Sequence, residues 1–145
     1  MIKCSRKIHF CSGHRILNHE SKCANVHGHN YIAWVEAEAQ SEDNALDSLG
    51  RVIDFSVLKE KVGGWIDKNW DHTMIIYRKD TELVEMANLL SKNKPVFICD
   101  FNPTAENMAD YILRVVGPQA LTGTGVRLTK VVLYETENCY AEATL

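Results

Sequence analysis

The sequence of 145 residues contains no C-x-x-C pair, no apolar run approaching the length of a membrane span, and no cluster of basic residues. Its five cysteines are an odd number, which fits neither a disulfide framework nor a zinc ribbon, so reduced thiols are expected. A membrane span needs roughly 18 apolar residues, and the first residues also lack the apolar run of a signal peptide. The net charge of −3, with scattered lysines and arginines, argues against a nucleic-acid surface. We therefore expect a cytoplasmic protein with neither a nucleic-acid nor a membrane partner.

The composition is that of an ordinary globular protein. Hydrophobic residues make up 46% of the chain and charged residues 24%, and the length is sufficient for one buried core. No repeat, linker or low-complexity stretch interrupts the sequence. The sequence therefore predicts a single α+β domain over residues 1–145.

Alternation of apolar and polar residues predicts four strands. The predicted strands cover residues 2–10, 31–40, 127–135 and 139–144. They are expected to form a four-stranded antiparallel sheet with helices on one face. The outer strands of such a sheet are unpaired and are often covered by another subunit, so the pattern favours a homo-oligomer.

Helical spacing and capping residues predict two main helices. Asp54 is a suitable N-cap for the first, and Thr104 begins a second that ends near Gly117. A short helix is expected near residues 82–90, within a middle region whose layout the pattern leaves open. The predicted order of elements is β-β-α-(α)-α-β-β.

The densest group of metal-binding side chains lies in one stretch that contains His14, Cys23 and His27-Gly28-His29. Residues i and i+2 of a strand project from the same side, so His27 and His29 can bind one ion if His14 is brought across from the neighbouring strand. Three imidazoles leave a coordination position open, which is typical of a catalytic zinc. The pattern therefore predicts a zinc enzyme, because neutral imidazoles suit zinc. A closed structural site with Cys23 as fourth ligand is the alternative.

Three further groups are candidates for the chemistry. Cys23 lies in a polar stretch beside Lys22 and near the predicted metal, which favours a thiolate. Asp71-His72 can form a Cys–His–Asp relay with this thiol, although adjacent residues of these types are also typical of a simple turn. Glu135 ends an apolar strand, either as a solvated terminus or as a carboxylate that accepts two hydrogen bonds from the edge of a guanine-like or pterin ring.

The start of the second main helix offers another binding group. Thr104 and Glu106 stand at this N-terminus, whose free backbone N–H groups can hold polar ligand atoms. Arg15 or Lys22 is the candidate for contact with phosphate.

Several motifs occur together and in order along nearly the whole chain. They are His14, Cys23, His27-Gly28-His29, Val52-Ile53-Asp54-Phe55, Asp71-His72, Pro103-Thr104-Ala105-Glu106-Asn107 and Tyr134-Glu135-Thr136. This set resembles the 6-pyruvoyl-tetrahydropterin synthase / 6-carboxy-tetrahydropterin synthase family. The compact Cys-x-x-x-His-Gly-His spacing is similar to the bacterial 6-carboxy-tetrahydropterin synthase branch.

The resemblance implies a T-fold, in which trimers close their sheets into a β-barrel and usually pair into a hexamer with substrate sites at subunit boundaries. It implies a carbon-carbon lyase that converts 7,8-dihydroneopterin triphosphate to 6-carboxy-5,6,7,8-tetrahydropterin, acetaldehyde and triphosphate, on the route to queuosine. It also assigns roles to residues of this chain. The implied roles are zinc binding for His14, His27 and His29, proton transfer for Cys23, completion of the relay for Asp71 and His72, and anchoring of the pterin for Glu135.

The sequence departs from the family pattern in two places, and it is also compatible with three rival functions. Ser12-Gly13 precedes His14 where alanine or serine is more usual, and the segment between His72 and Pro103 is longer than in the shortest members. The nearest rival is a 6-pyruvoyl-tetrahydropterin synthase, which eliminates triphosphate without cleaving the carbon chain. The others are a non-catalytic pterin- or purine-binding module and a scaffold stabilised by zinc.

Overall fold

The computed structural model describes all residues, 1–145, and its six strands form one sheet. The strands are β1 (Lys3–His14), β2 (His27–Ala39), β3 (Thr73–Tyr77), β4 (Phe97–Cys99), β5 (Val126–Thr136) and β6 (Cys139–Thr144). Their order across the sheet is β4-β3-β1-β2-β5-β6. The pairs β1–β2, β2–β5 and β5–β6 are antiparallel, whereas β3 runs parallel to both β1 and β4.

Three helices accompany the sheet: α1 (residues 55–69), α2 (Thr81–Leu90) and α3 (residues 105–120). Both α1 and α3 contain a central π-helical segment, at Lys59–Gly63 and Ile112–Val116, between α-helical turns. The predicted caps are present, because Asp54 accepts from the Ser56 N–H and Thr104 from the Asn107 N–H. None of the helices combines the length and apolar character that crossing a membrane requires.

The prediction of a four-stranded, wholly antiparallel sheet is wrong. The middle region contributes β3 and β4, which extend the β1 edge and make the sheet mixed. These strands have five and three residues, too few for alternation to distinguish a strand from another short apolar run. β3 and β4 are also parallel strands joined through α2. Parallel strands are not joined by a tight turn, so no local turn signal identifies β4 as the partner of β3.

Two strands are longer than predicted at the ends that carry the histidines. β1 continues past residue 10 to His14, and β2 begins at His27 instead of residue 31. The register pairs Gly13 with Gly28 and His14 with His27. A Cβ on Gly13 would overlap the sulfur of Met74, so the glycine leaves room for this side chain of β3 beside β1.

Helices α1 and α3 pack on one face of the sheet, where the apolar side chains of alternate strand residues form the core. The prediction of helices on one face is wrong for α2, which packs on Ile76 of the opposite face, because the consecutive residues Ile75 and Ile76 of β3 point to opposite sides. A cluster of 22 buried residues includes Phe10, Tyr31, Leu133, Met108 from α3, and Trp70 directly after α1. A separate small cluster lies beneath α2. His14, His27 and His29 continue the inward-facing positions of β1 and β2. The ends of these two strands therefore carry the histidines to the rim of the core.

Candidate metal centre and adjoining groove

The three histidines predicted as metal ligands form a cluster at the junction of β1 and β2. His14 ends β1 directly opposite His27, and His29 follows two residues later on the same face. One nitrogen from each ring lies within 4.8 Å of those of the other two. The period of two along β2 and the antiparallel register produce this convergence.

Backbone carbonyls set the orientation of two of the rings. The Nδ1 atom of His14 lies 2.7 Å from the carbonyl oxygen of Pro103, and the Nδ1 atom of His27 lies 2.6 Å from that of Asn25. A carbonyl can only accept, so each Nδ1 carries the proton and each Nε2 presents a lone pair. These two Nε2 atoms are 3.1 Å apart. Facing lone pairs at this distance repel unless a cation lies between them.

His29 supplies the third nitrogen of the cluster. Its Nε2 atom is buried and has no hydrogen-bond partner, an arrangement that carries a desolvation cost of about 1–3 kcal/mol. Burial, opposed by the Pro103 carbonyl and reinforced by the charges of His27 and His29, lowers the pKa of His14 to about 4. Neutral imidazoles with inward lone pairs are the donors a transition metal requires. The residues present therefore fit a metal ion bound by three nitrogens.

Glu135 lies beside this cluster. Its carboxylate oxygens are 3.5 Å from Nε2 of His29 and 3.9 Å from Nε2 of His14. The side chain is one quarter exposed, so one edge of the carboxylate remains open to a ligand. The end of β5 thus presents an acceptor next to the cluster, and the interpretation of Glu135 as a merely solvated strand end does not describe this position.

Tyr31 forms the floor of the cluster and was not identified from the sequence. Its hydroxyl lies 3.3 and 3.4 Å from the two ring nitrogens of His14, and its ring stacks on Phe10. Burial, with a smaller contribution from the charge of Glu135, raises the pKa of this phenol. Tyr31 continues the i, i+2 series of His27 and His29, so the same period would have placed it here.

Asp71 and His72 form a hydrogen-bonded pair in the turn between α1 and β3. His72 has a left-handed backbone with φ of 57°, and this brings its Nδ1 to 2.7 Å from the neighbouring Asp71 carboxylate. The other carboxylate oxygen accepts from the Cys11 N–H at 2.8 Å, while the His72 N–H donates to the Cys11 carbonyl at 2.7 Å. The segment is therefore both a turn and a paired acid–imidazole. The His72 side chain is 77% exposed, which leaves Nε2 accessible for proton exchange.

Cys23 lies on a single 3₁₀ turn, Lys22–Ala24, in the connection between β1 and β2. Its carbonyl accepts from the Ile16 N–H at 2.8 Å, and its side chain is half-buried. No hydrogen bond joins its thiol to His72 or to the histidine cluster. The chain therefore brings Asp71 and His72 together but does not by itself add Cys23 to them.

A groove of about 1130 Å³ connects the histidine cluster with the Asp71–His72 turn. Its walls come from the glycine-containing ends of β1 and β2, from the start of β3, and from α2 with the loop that follows it. The lining includes His27, His29, His72, Met86, Leu90 and Lys94. Two predicted metal ligands and His72 thus contribute to the lining of one cleft.

The start of α3 adjoins the cluster through Pro103. Thr104 uses its hydroxyl to cap the helix, where it accepts from the Asn107 N–H at 3.2 Å. Glu106 is exposed in the first turn and makes no hydrogen bond or ion pair. The structure therefore places Thr104 one residue from the carbonyl that orients His14, with Glu106 at the surface.

Arg15, a candidate for phosphate contact, is already paired. Its guanidinium binds both carboxylate oxygens of Asp80 at 2.5 and 2.6 Å and approaches Glu82 at 3.3 Å. Asp80 is also the N-cap of α2. This pair joins the end of β1 to α2, and its compensated charge makes Arg15 a poor candidate for contact with phosphate.

Comparison of the sequence with those of known proteins gives matches over nearly its full length. Residues 3–144 match the profile of the family described as 6-pyruvoyl tetrahydropterin synthase. The 6-carboxy-5,6,7,8-tetrahydropterin synthase of Rickettsia felis is 38% identical over 142 residues, which are 98% of this chain and 99% of that protein. The protein of the same name from Haemophilus influenzae is 32% identical, with 98% of each chain covered.

Solved structures share the fold at lower sequence identity. An uncharacterised protein from Wolinella succinogenes aligns with a TM-score of 0.78 and 20% identity, with coverage of 99% of this chain and 97% of the other. The Caenorhabditis elegans 6-pyruvoyl tetrahydropterin synthase aligns with a TM-score of 0.66 and 21% identity, with coverage of 99% and 95%. These similarities establish the fold around the histidine cluster and the groove.

Proposed function

Because the chain belongs to the 6-pyruvoyl tetrahydropterin synthase family, we propose that it is a zinc-dependent 6-carboxy-5,6,7,8-tetrahydropterin synthase. It converts 7,8-dihydroneopterin triphosphate to 6-carboxy-5,6,7,8-tetrahydropterin, acetaldehyde and triphosphate in the cytoplasm, on the route to queuosine. The observation that carries this proposal is the convergence of three imidazole nitrogens beside a groove that His72 also lines. The names of the full-length relatives favour the carboxy product.

His14, His27 and His29 are the residues that would hold the zinc ion. Zinc bound there supplies a Lewis acid that acidifies and orients substrate hydroxyls. The carbonyls of Pro103 and Asn25 keep two of the rings in the binding tautomer. The site thus has preorganised nitrogen donors and an open side toward the groove.

The remaining polar groups bind the pterin and move protons. Glu135 accepts two hydrogen bonds from the amino-pyrimidine edge, since its carboxylate lies beside the cluster and is partly open. Thr104 and Glu106, at the start of α3, bind polar atoms of the substrate. Asp71 accepts from Nδ1 of His72 and thereby keeps Nε2 available for proton transfer.

Cys23 is the second proton-transferring group and reaches His72 across a subunit boundary. Within one chain the thiol and the imidazole are not hydrogen-bonded, whereas a relay requires contact between them. A trimer-based homo-oligomer that closes the sheets into a barrel, paired into a hexamer, supplies this contact. The exposed strand edges of β4 and β6 are consistent with such an assembly.

Replacement of Cys23 by alanine tests whether this thiol serves catalysis or structure. If Cys23 is the base, Cys23→Ala retains about one zinc per chain while turnover of 7,8-dihydroneopterin triphosphate falls by about 100-fold or more. The measurements are metal content by elemental analysis and the initial rate of product formation. Cys139→Ala is the matched control, because Cys139 is exposed and lies on β6.

Two outcomes contradict the proposal for Cys23. Loss of zinc together with the fold would identify the thiol as a structural ligand. Unchanged turnover would exclude it as a base.

A further inference from the structure

Lys94 lies in the loop between α2 and β4, and its ammonium reaches back to the C-terminal end of α1. It donates to the carbonyl of Asp67 at 2.5 Å and to the carbonyl of Asp71. The last carbonyls of a helix have no intrahelical partner, and a cation at this end is favourable. A half-buried lysine from the longer middle segment thus terminates the helix that leads to the Asp71–His72 turn.

The same loop also contacts the residue that follows His72. The hydroxyl of Thr73 donates to the carbonyl of Pro95 at 2.9 Å. Lys94 therefore contacts the residue before His72, and Pro95 contacts the residue after it. Since His72 has a positive φ, a conformation that is unfavourable for a residue with a Cβ, its neighbours must hold it there.

The charge of Lys94 also acts on the Asp71 carboxylate. Burial alone would raise the pKa of Asp71, but the Cys11 N–H, the His72 ring and the Lys94 ammonium together lower it below its usual range. His72 and Lys94 are the charged groups that face this carboxylate from the surrounding elements. The lysine thus supports the ionised form that accepts from His72.

We propose that Lys94 is a positioning residue for the Asp71–His72 pair. Its two hydrogen bonds fix the end of α1, and with the Pro95–Thr73 contact they hold His72 in the left-handed conformation that turns its ring toward Asp71. The inference rests on the proposed function, in which His72 transfers a proton. It assigns a role to the longer segment between β3 and α3, which carries Lys94 and Pro95 on the loop between α2 and β4.

The test replaces Lys94 by methionine, which keeps the length of the side chain and removes its charge and donors. We expect kcat for 7,8-dihydroneopterin triphosphate to fall by about 10-fold or more, because small displacements of a catalytic group are costly. KM should change by less than about twofold, since the Lys94 ammonium is already bound to the carbonyls of Asp67 and Asp71. The acidic limb of the kcat profile should move to higher pH, because loss of the ammonium raises the pKa of Asp71.

Two further variants separate positioning from a general effect on folding. Lys94→Arg keeps the charge and can donate to two carbonyls, so it should recover most of kcat and the original pH profile. Lys68→Met is the matched control, because Lys68 is an exposed lysine in the last turn of α1 with no hydrogen bond. Zinc content and Tm should stay within the wild-type range in all three variants.

NMR of the His72 ring nitrogens provides a readout that does not depend on activity. Lys94→Met should reduce the fraction of the Nδ1-protonated tautomer, and Lys68→Met should not. Equal kinetics, pH profiles and tautomer fractions in Lys94→Met and Lys68→Met would overturn the inference. A wild-type protein without turnover would instead contradict the proposed function, and the tautomer comparison would still decide the role of Lys94.

Discussion

Among single residues, the candidate metal centre depends on which nitrogen each imidazole turns inward. His14 and His27 donate from Nδ1 to the carbonyls of Pro103 and Asn25, so both present Nε2. His29 adds a buried Nε2 that has no hydrogen-bond partner. A bound metal ion relieves the repulsion between the first two lone pairs and the desolvation of the third.

Replacement of His29 tests this arrangement. Zinc should stabilise the wild-type protein, by about 4 kcal/mol when free zinc exceeds the Kd a thousandfold. The His29→Ala variant should gain little stability from added zinc, because only two imidazole ligands remain. The measurement is Tm after treatment with a chelator, with and without added zinc.

The control for this experiment is His9→Ala, whose exposed side chain lies on the opposite face of β1 and makes no hydrogen bond. It should respond to zinc as the wild type does. An equal response of His29→Ala and the wild type would show that the metal binds elsewhere.

The convergence of the three histidines could be predicted from the sequence, whereas the orientation of their rings could not. His27 and His29 are two residues apart, and the period of a strand places them on one face without further information. The acceptors that orient His14 and His27 are main-chain carbonyls. Their positions depend on loop geometry and cannot be predicted from the identity of the residues. Asp71 and His72 were predicted as members of a relay, but the direct hydrogen bond between these neighbours was not, because it requires the positive φ of His72.

At the scale of secondary-structure elements, α2 is attached to the site through an ion pair. Asp80 caps this helix and is only 3% exposed, and it binds Arg15, the residue after His14. The Arg15 guanidinium, opposed by burial and aided by the Leu83 N–H, holds the pKa of Asp80 below its usual range. The wall of the groove that α2 provides is thereby fixed to the end of β1.

Asp80→Asn tests the contribution of this ion pair to stability. Asparagine can still cap the helix, so we expect a loss of about 1–3 kcal/mol in the free energy of unfolding at pH 7, from the removed charge alone. The depressed pKa means that this contribution is present above about pH 4 and disappears as the pH falls through the folded-state pKa of Asp80. Denaturant unfolding at several pH values measures both effects.

Glu82→Gln is the control for the same helix, because Glu82 is exposed and lies 3.3 Å from Arg15. It should change stability by less than about 0.5 kcal/mol. A loss in Asp80→Asn that stays constant down to pH 2 would contradict the assignment to the ion pair.

The elements that the sequence did not predict are the short ones. The strands at the two ends of the chain follow clear alternation, and the two main helices have caps at Asp54 and Thr104, so all of these were expected. β3 and β4 have five and three residues, and both depend on pairing with strands distant in sequence. Local patterns contain little information on such parallel contacts.

In the molecule as a whole, one chain contains the histidine cluster with Glu135 beside it and the Asp71–His72 pair. His27, His29 and His72 line one groove, and no hydrogen bond joins the Cys23 thiol to these groups. Assembly is the step that the account requires to bring this thiol to the imidazole. In the proposed assembly this contact would depend on the surfaces that different subunits present to each other, which neither the sequence pattern nor a single chain determines.

Mass spectrometry of the products after the zinc-loaded protein is incubated with 7,8-dihydroneopterin triphosphate tests the proposed activity itself. We expect 6-carboxy-5,6,7,8-tetrahydropterin together with acetaldehyde and triphosphate. A 6-pyruvoyl-tetrahydropterin product would contradict the assigned carbon-carbon bond cleavage, and unchanged substrate would contradict catalysis on this compound.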